Sequence, residues 1–218
     1  MFLTIFLWAV LVYFKANINN IFMQFFSEKV NSLLLEMEAV SDAYWNVPKE
    51  VAQILYFLVL VKGAKKIMEI GTSNGYSGIW LAKALEQNEG RLFTIESHNE
   101  RYRLASENFK KAGVDSVVIQ ILGHAPEVFL TEKALMDGGF DLVFMDATKK
   151  QHKEFLNGIF DLLNLGGVIV VDNVLSHWGE MQSLVDYVDG IESLDSQLVR
   201  VGDGLLMMIK KGNRLSIS

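Results

Sequence analysis

Hydrophobic and polar positions follow two different periods along this chain, and their order predicts an α/β fold. Apolar residues spaced three and four apart predict helices, whereas short, nearly continuous apolar runs predict buried strands. The predicted helices are residues 27–40, 49–61, 76–85, 99–112, 126–136, 151–163 and 178–191. The predicted strands are residues 66–70, 91–95, 117–122, 141–145, 167–171, 198–201 and 205–210.

The alternation of strand and helix predicts a parallel sheet with helices on both faces. Gly202-Asp203-Gly204 is a turn signal between the last two strands. We therefore expect one seven-stranded, mostly parallel sheet with a final antiparallel hairpin strand. The predicted organisation is an apolar extension (1–22), a helical cap (23–62), the sheet domain (63–212) and a tail (213–218).

Composition and charge exclude several classes of site. The 218 residues contain no cysteine, which excludes disulfides, thiolate catalysis and cysteine-bound zinc. The four histidines lack the spacing of a histidine-built zinc site. A net charge of −6 argues against general binding to nucleic-acid backbones.

The N-terminus begins with an uncharged apolar run, residues 1–14, that ends at Lys15. It is shorter than the roughly 20 residues of a typical membrane span. Three interpretations stay open: an extra helix or a mis-assigned start upstream of Met23, a membrane or interface anchor, and an export signal. We expect a cytoplasmic protein, with membrane contact through residues 1–14 as the alternative.

Acidic side chains stand where four of the predicted strands end. They are Glu69, Glu96, Asp146 and Asp172. Ligands of open α/β sheets bind outside the carboxyl ends of the strands, at the point where strand order reverses. Such a set would repel a phosphate-rich ligand and attract a cation.

The first of these acids opens a glycine loop, residues 69–77. Glycines stand at 71, 75 and 78, which is neither the dinucleotide fingerprint nor a P-loop. An acid before the first glycine favours a ligand with a cationic end, such as a sulfonium amino acid. Glu96 is placed to accept hydrogen bonds from ribose hydroxyls.

A second group of polar residues follows the predicted strands 141–145 and 167–171. Adjacent parallel strands lie about 4.8 Å apart, so Asp146, Asp172 and Asn173 can converge with oxygen ligands only. Such a set suits Mg²⁺, Mn²⁺ or Ca²⁺ better than zinc. Lys149 stands three residues after Asp146, where a nearby dication would favour its neutral, basic form. The alternative for Lys149 is a solvated surface lysine.

These motifs resemble those of a known family. Glu-Ile-Gly-Thr-x-x-Gly-Tyr-Ser at 69–77, Phe-Met-Asp-Ala-x-Lys at 144–149 and Asp172-Asn173 are similar to the cation-dependent O-methyltransferases of the catechol and caffeoyl-CoA type. The resemblance spans about residues 46–210. It implies a single Rossmann-like methyltransferase domain and a homodimer that forms through the N-terminal helices.

The resemblance also implies roles for individual residues. S-adenosylmethionine would contact Val47, Glu69, Gly71, Thr72, Ser77, Glu96 and Ala125. A divalent cation, Mg²⁺ before Mn²⁺ or Ca²⁺, would bind Asp146, Asp172 and Asn173. Lys149 would be the catalytic base beside Asp146, and His177 would contact the substrate. Independently of the resemblance, Tyr44, Trp45 and Trp178 are candidates for an aromatic wall of the pocket, with ordinary core or interface packing as the alternative for each.

The implied activity is metal-dependent O-methylation of a small-molecule hydroxyl with catechol-like vicinal oxygens. The chain lacks the insertion of the plant enzymes, which disfavours a CoA-linked substrate. It also has Ala52 before Gln53, where the family usually has glycine, and Pro126 after Ala125. The alternatives are a tRNA hydroxyuridine O-methyltransferase, with a basic patch at Lys110, Lys111, Lys149, Lys150 and Lys153, and a non-catalytic scaffold that binds S-adenosylmethionine.

Overall fold

A computed structural model describes residues 26–132, 137, 139–148 and 151–215. Predictions for residues 1–22, for Met23, for the helix end at 133–136 and for Lys149 and Lys150 lie outside these residues. The helices are α1 (Glu28–Glu38), α2 (Ser41–Tyr44), α3 (Lys49–Lys62), α4 (Tyr76–Asn88), α5 (Asn99–Ala112), α6 (Ala125–Thr131), α7 (His152–Phe160) and α8 (Trp178–Asp189). The strands are β1 (Lys66–Ile70), β2 (Arg91–Glu96), β3 (Val118–Leu122), β4 (Phe140–Met145), β5 (Leu163–Val171), β6 (Leu194–Val199) and β7 (Leu205–Lys210).

The strands form one seven-stranded sheet in the order β3-β2-β1-β4-β5-β7-β6. Strands β1 to β5 pair in parallel, and β7 is antiparallel to both of its neighbours. The predicted fold class is therefore confirmed. Strand order reverses between β1 and β4, which places the expected ligand crevice at their carboxyl ends.

Helices cover both faces of the sheet because successive strand residues point to opposite sides. One buried cluster joins side chains of α1, α3, α4 and α5 to one face, including Ile67 and Phe144. A second cluster joins α6, α7 and α8 to the other face, including Met68 and Met145. The four helices of the first cluster thus belong to one continuous core with the sheet.

Several element boundaries differ from the prediction, and α6 ends at Thr131 rather than at 136. Strand β5 begins at Leu163 rather than 167, because an irregular register between Phe140 and Leu142 extends its pairing with β4. Helix α7 consequently ends at Phe160. Strand β6 begins at Leu194 and ends at Val199, whereas residues 198–201 were expected. It is an edge strand in which Asp195, Ser196 and Gln197 are exposed, so its first half lacks a continuous apolar pattern.

The turn between β6 and β7 supports the loop that follows β5. The amide of Val174 donates to the carbonyl of Gly204 at 3.0 Å, and the amide of Leu175 donates to that of Asp203 at 2.9 Å. The position of this loop therefore depends on the closing hairpin of the sheet. Within the described ranges, no helix combines the length and the apolar character needed to cross a bilayer.

Candidate functional site

A cavity of about 770 Å³ opens at the carboxyl ends of the parallel strands. Its lining comes from the segment around α2 and from the residues that follow β1, β2, β3, β4 and β5. Three of the four predicted strand-end acids line it: Glu96, Asp146 and Asp172. The sheet thus gathers these carboxylates around one space, as parallel strands with adjacent carboxyl ends should.

Gly71 brings the loop after β1 against the end of β4. Its φ is +101°, and a Cβ at this position would overlap the backbone carbonyl of Asp146. The amide of Asp146 in turn donates to the carbonyl of Ile70 at 3.0 Å. Only glycine permits this conformation and this approach. The floor of the crevice is therefore bare backbone where the two central strands end.

Glu96 lies at the end of β2 and lines the cavity, although its residue is only 6% exposed. Its Oε2 accepts a 2.8 Å hydrogen bond from the amide of Ser73, and its Oε1 accepts one of 2.8 Å from the amide of His98. Each carboxylate oxygen has two lone pairs, so each retains one for a further donor. The carboxylate is thus held in place and can still accept two hydroxyl groups.

Glu69 lies behind the glycine loop rather than on the main cavity. It is fully buried, and its two carboxylate oxygens accept hydrogen bonds of 2.6 Å from the hydroxyls of Ser77 and Thr94. Burial raises the pKa of Glu69 to about 7, against the two hydrogen bonds, and the charges of Asp146 and Glu96 add to the rise. The predicted contact of Glu69 with a cationic ligand stays a prediction.

Ser73 ties the glycine loop to the segment around α2. Its hydroxyl donates to the carbonyl of Tyr44 at 2.7 Å, while its own φ is +48°. Trp45 follows Tyr44 in the chain. The guanidinium of Arg101 lies over the indole ring of Trp45, 4.6 Å from the ring centre. Tyr44, Trp45 and Arg101 all line the cavity, so one wall rests on these two contacts.

Asp146, Asp172 and Asn173 form the second half of the site. Met145 pairs with Val171 in register, so the two acids occupy equivalent positions at the ends of β4 and β5. The Nδ2 of Asn173 donates to Oδ1 of Asp146 at 2.8 Å. Asn173 has a φ of +65°, which turns the chain directly after Asp172. Two carboxylates and one amide therefore meet at the cavity wall.

This donor set fits a hard divalent cation. Asp172 is 1% exposed, and buried carboxylates are usually paired or bound to a metal. Two carboxylates and an amide oxygen are the ligands that Mg²⁺ and Ca²⁺ prefer. Binding through all three would require Asn173 to present Oδ1 in place of Nδ2. Clusters of three or more His, Cys, Asp or Glu suited to a metal are absent from the part of the chain that the structure describes.

The remaining predicted residues divide between two spaces. Val47, Ala125 and His177 line the main cavity, whereas Thr72 and Ser77 line a small side pocket that Gly71 and Asp146 also border. Of the predicted aromatic wall, Tyr44 and Trp45 line the main cavity and Trp178 does not. Lys149 lies outside the described residues, and its catalytic role stays a prediction.

Sequence reasoning missed residues that shape the cofactor side. Ser73 occupies an unspecified position of the glycine motif, and Thr94 lies inside β2. Arg101 lies in the first turn of α5 and lines the cavity. For Arg101 a signal existed, because residues that open the helix after a strand lie at the same edge as the strand end. For Thr94 the alternation of β2 placed it on the same face as Glu96, two residues away.

Comparisons with known proteins agree with this geometry. A sequence model described as O-methyltransferase matches residues 27–188. Catechol O-methyltransferase from Mycobacterium tuberculosis is 38% identical over 126 residues, 56% of either chain, so the match spans little more than half of that relative. A putative O-methyltransferase from Mycobacterium avium is 31% identical over 176 residues, 75% of this chain and 78% of the relative. The structure of the O-methyltransferase TomG from Streptomyces achromogenes, in complex with S-adenosylmethionine, aligns with a TM-score of 0.76 and 27% identity, covering 85% of this chain and 91% of TomG.

Proposed function

The chain belongs to the O-methyltransferase family, and we propose that it methylates a hydroxyl of a small molecule with catechol-like vicinal oxygens, using S-adenosylmethionine and a divalent cation. One observation carries the proposal. The cavity wall bears Glu96 on one side and the Asp146, Asp172 and Asn173 set on the other. A methyl donor and a chelated acceptor can therefore occupy one space.

The cofactor half has the features that S-adenosylmethionine requires. Gly71 leaves bare backbone for a close approach, and Glu96 offers an accepting oxygen to each of two ribose hydroxyls. Asp146 and Glu96, which line the cavity, provide the acidic surroundings that favour a cationic sulfonium ligand. TomG, which is similar in fold and sequence, binds this cofactor in its crystal structure.

The metal half would hold the acceptor. Asp146, Asp172 and Asn173 would bind the cation, which when bound lowers the pKa of a coordinated hydroxyl and orients it. Lys149, three residues after Asp146 in the motif, would take the proton from that hydroxyl. His177 lies on the same wall, where it can contact the acceptor's remaining edge. The walls would exclude water and hold the two reacting atoms in line, which is a large source of acceleration.

The metal requirement is tested by methyl transfer to a catechol with Mg²⁺ and with excess EDTA. We expect EDTA to abolish turnover and added Mg²⁺ to restore it. Binding of S-adenosylmethionine, followed calorimetrically in EDTA, should persist, which separates metal loss from unfolding. Full turnover in EDTA would exclude the metal role.

The acceptor class is tested by mass spectrometry over a panel of catechols, monophenols and total tRNA. We expect methylation of vicinal diols on aromatic rings and at least about tenfold less of monophenols, since a second oxygen ligand is lost. Lys149→Ala should abolish transfer to the catechols while the cofactor still binds. Methylation of tRNA alone would replace the small-molecule acceptor with a uridine hydroxyl.

A further inference from the structure

Asn46 lies where the main cavity and the small side pocket meet, and it borders both of them. It belongs to the segment that joins α2 to α3. Its backbone amide donates to the carbonyl of Ser41 at 3.2 Å, which closes the turn at the end of α2. None of the roles described so far uses the side chain of Asn46.

The side-chain amide of Asn46 has a fixed orientation. Its Nδ2 donates a 3.0 Å hydrogen bond to the carbonyl of Met37, in the last turn of α1. A carbonyl oxygen only accepts hydrogen bonds, so the amide nitrogen must face it and Oδ1 must point elsewhere. Met37 is buried in the core, and this contact therefore anchors the amide to the scaffold.

The Oδ1 atom of Asn46 is a buried acceptor. It is closed off from solvent, and among the described residues none donates a hydrogen bond to it. Buried polar side-chain atoms are usually paired, because an unpaired one loses its hydration without replacement. Asn46 thus holds at the site an acceptor that a bound molecule can satisfy.

Two hydroxyls on the wall of the side pocket have their protons committed elsewhere. When Glu69 is ionised, its carboxylate oxygens accept from the hydroxyls of Ser77 and Thr94, at 2.6 Å each. Because Thr94 gives its one proton to Glu69, Thr72 is the donor in the hydrogen bond between Thr72 and Thr94. Thr72 and Ser77, which both border the side pocket, can therefore only accept further hydrogen bonds there.

The side pocket consequently suits a small, positively charged donor. The side chains that border it and offer acceptors are those of Asn46, Thr72, Ser77 and Asp146. Its volume of about 10 Å³ has room for one small group. An ammonium group has three N–H donors and is attracted by the charge of Asp146, whereas a carboxylate would be repelled.

We propose that Asn46 binds the α-ammonium group of S-adenosylmethionine through Oδ1, while the carbonyl of Met37 holds Nδ2 and orients the amide. This assignment rests on the proposed function, because it takes S-adenosylmethionine as the methyl donor. It adds a residue outside the glycine loop to the recognition of the cofactor. It also connects the end of α1 to that recognition.

The test compares two ligands that differ in one group. They are S-adenosylhomocysteine and its analogue in which hydrogen replaces the α-amino group. The Kd of each is measured by calorimetry in excess EDTA for the wild type, Asn46→Ala and Asn46→Asp. The ratio of the two Kd values isolates the amino group, since every other group of the ligands is the same.

We expect the wild type to bind S-adenosylhomocysteine at least about tenfold more tightly than the deaminated analogue, because hydrogen bonds to charged groups are strong. In Asn46→Ala this ratio should fall at least about threefold. Asn46→Asp keeps an acceptor but cannot donate to Met37, and its carboxylate should raise the ratio above that of the wild type. A merely structural Asn46 would instead give the same loss in both variants.

Asn88→Ala is the matched control. The Nδ2 of Asn88 donates to the carbonyls of Val59 and Ala64 at 3.0 Å each, and Asn88 borders neither space. This variant should lower the melting temperature and keep the wild-type ratio of Kd values.

Three results would overturn the assignment: equal affinity of the wild type for both ligands, a wild-type ratio in Asn46→Ala, or a ratio in Asn46→Asp at or below that of the wild type. The last decides the matter even if Asn46→Ala does not fold. A wild type that binds neither ligand would overturn the proposed function itself.

Discussion

The hydroxyl of Ser73 donates a 2.7 Å hydrogen bond to the backbone carbonyl of Tyr44. Through its amide, the same residue donates to Oε2 of Glu96 at 2.8 Å. One residue in the glycine loop, through its hydroxyl and its amide, therefore connects the wall around α2 to the acid that we expect to bind the ribose. The position of that wall relative to Glu96 depends on a single small residue.

Removing this hydroxyl should weaken cofactor binding. For Ser73→Ala we expect the KM for S-adenosylmethionine to rise about fivefold, because a net hydrogen bond contributes about 1 kcal/mol. The kcat should change less, since the metal half is untouched. Steady-state kinetics with varied cofactor measures both. Ser73→Gly also lacks the hydroxyl but relaxes the positive φ, so a wild-type KM for that variant would contradict the role of the hydrogen bond.

Glu69 should make stability depend on pH. Its folded pKa of about 7 lies above its ordinary value of 4.5, so between these values the folded chain holds a proton that the unfolded chain has lost. The stability from this group is complete below about pH 4.5 and is lost as pH rises through about 7. The loss between about pH 5 and pH 8 should be about 2–3 kcal/mol.

Urea unfolding of the wild type and Glu69→Gln at those two pH values measures this loss. The difference between the two pH values should shrink in Glu69→Gln, which has no proton to release. Glu107→Gln, on the exposed face of α5, should retain the wild-type difference. The same pH dependence in Glu69→Gln as in the wild type would show that another group is responsible.

Asn173 allows the metal set to be tested without disturbing the backbone. Its φ of +65° suits glycine, so Asn173→Gly removes the amide and should leave the melting temperature nearly unchanged. We expect the affinity for Mn²⁺ or Mg²⁺, measured by calorimetry, to fall at least about tenfold, as it does even for residues outside the ligand set. An unchanged affinity would remove Asn173 from the set.

Lys210 is a buried cation that stabilises the end of α7. It is 4% exposed, and its Nζ donates to the carbonyls of Phe160 and Leu163 at 2.7 and 2.8 Å. Lys210→Met keeps an unbranched side chain but leaves both carbonyls without this donor. We expect urea unfolding to show a loss of about 1–3 kcal/mol.

The matched control for that variant is the next residue. Lys211 pairs with Asp195 at 2.6 Å on the surface, and exposed ion pairs contribute about 0–1 kcal/mol. Lys211→Met should therefore cost less than Lys210→Met. Equal losses would mean that the buried donor has no special role.

Sequence patterns predicted the helices and strands best where residues close together in the chain determine the structure. Helix α5 has its predicted bounds, and Gly113 ends it with a φ of +69°. The strand-end acids could be grouped because parallel strands share one edge. Strand β6 was misplaced because an edge strand with polar, exposed side chains lacks an apolar pattern.

The finer organisation of the site depends on contacts that no local pattern encodes. Glu69 points into the interior because it lies within β1 rather than beyond its end, so it meets Ser77 and Thr94 instead of the cavity. The bond from Ser73 to Tyr44 joins residues 29 positions apart through a backbone carbonyl, which any residue type supplies. Such a contact is fixed only when the chain has folded.

Val174 and Leu175 donate hydrogen bonds to the β6–β7 turn. Because of these bonds, the two halves of the site would form at different times during synthesis. Glu96 and the glycine loop emerge early, whereas the loop after Asn173 has no such support until residues 203 and 204 have been made. At 5–20 residues per second, the 58 residues from Asp146 to Gly204 take about 3–12 s to translate. A nascent chain would thus acquire its cofactor half seconds before its metal half, and could hold S-adenosylmethionine before it could use it.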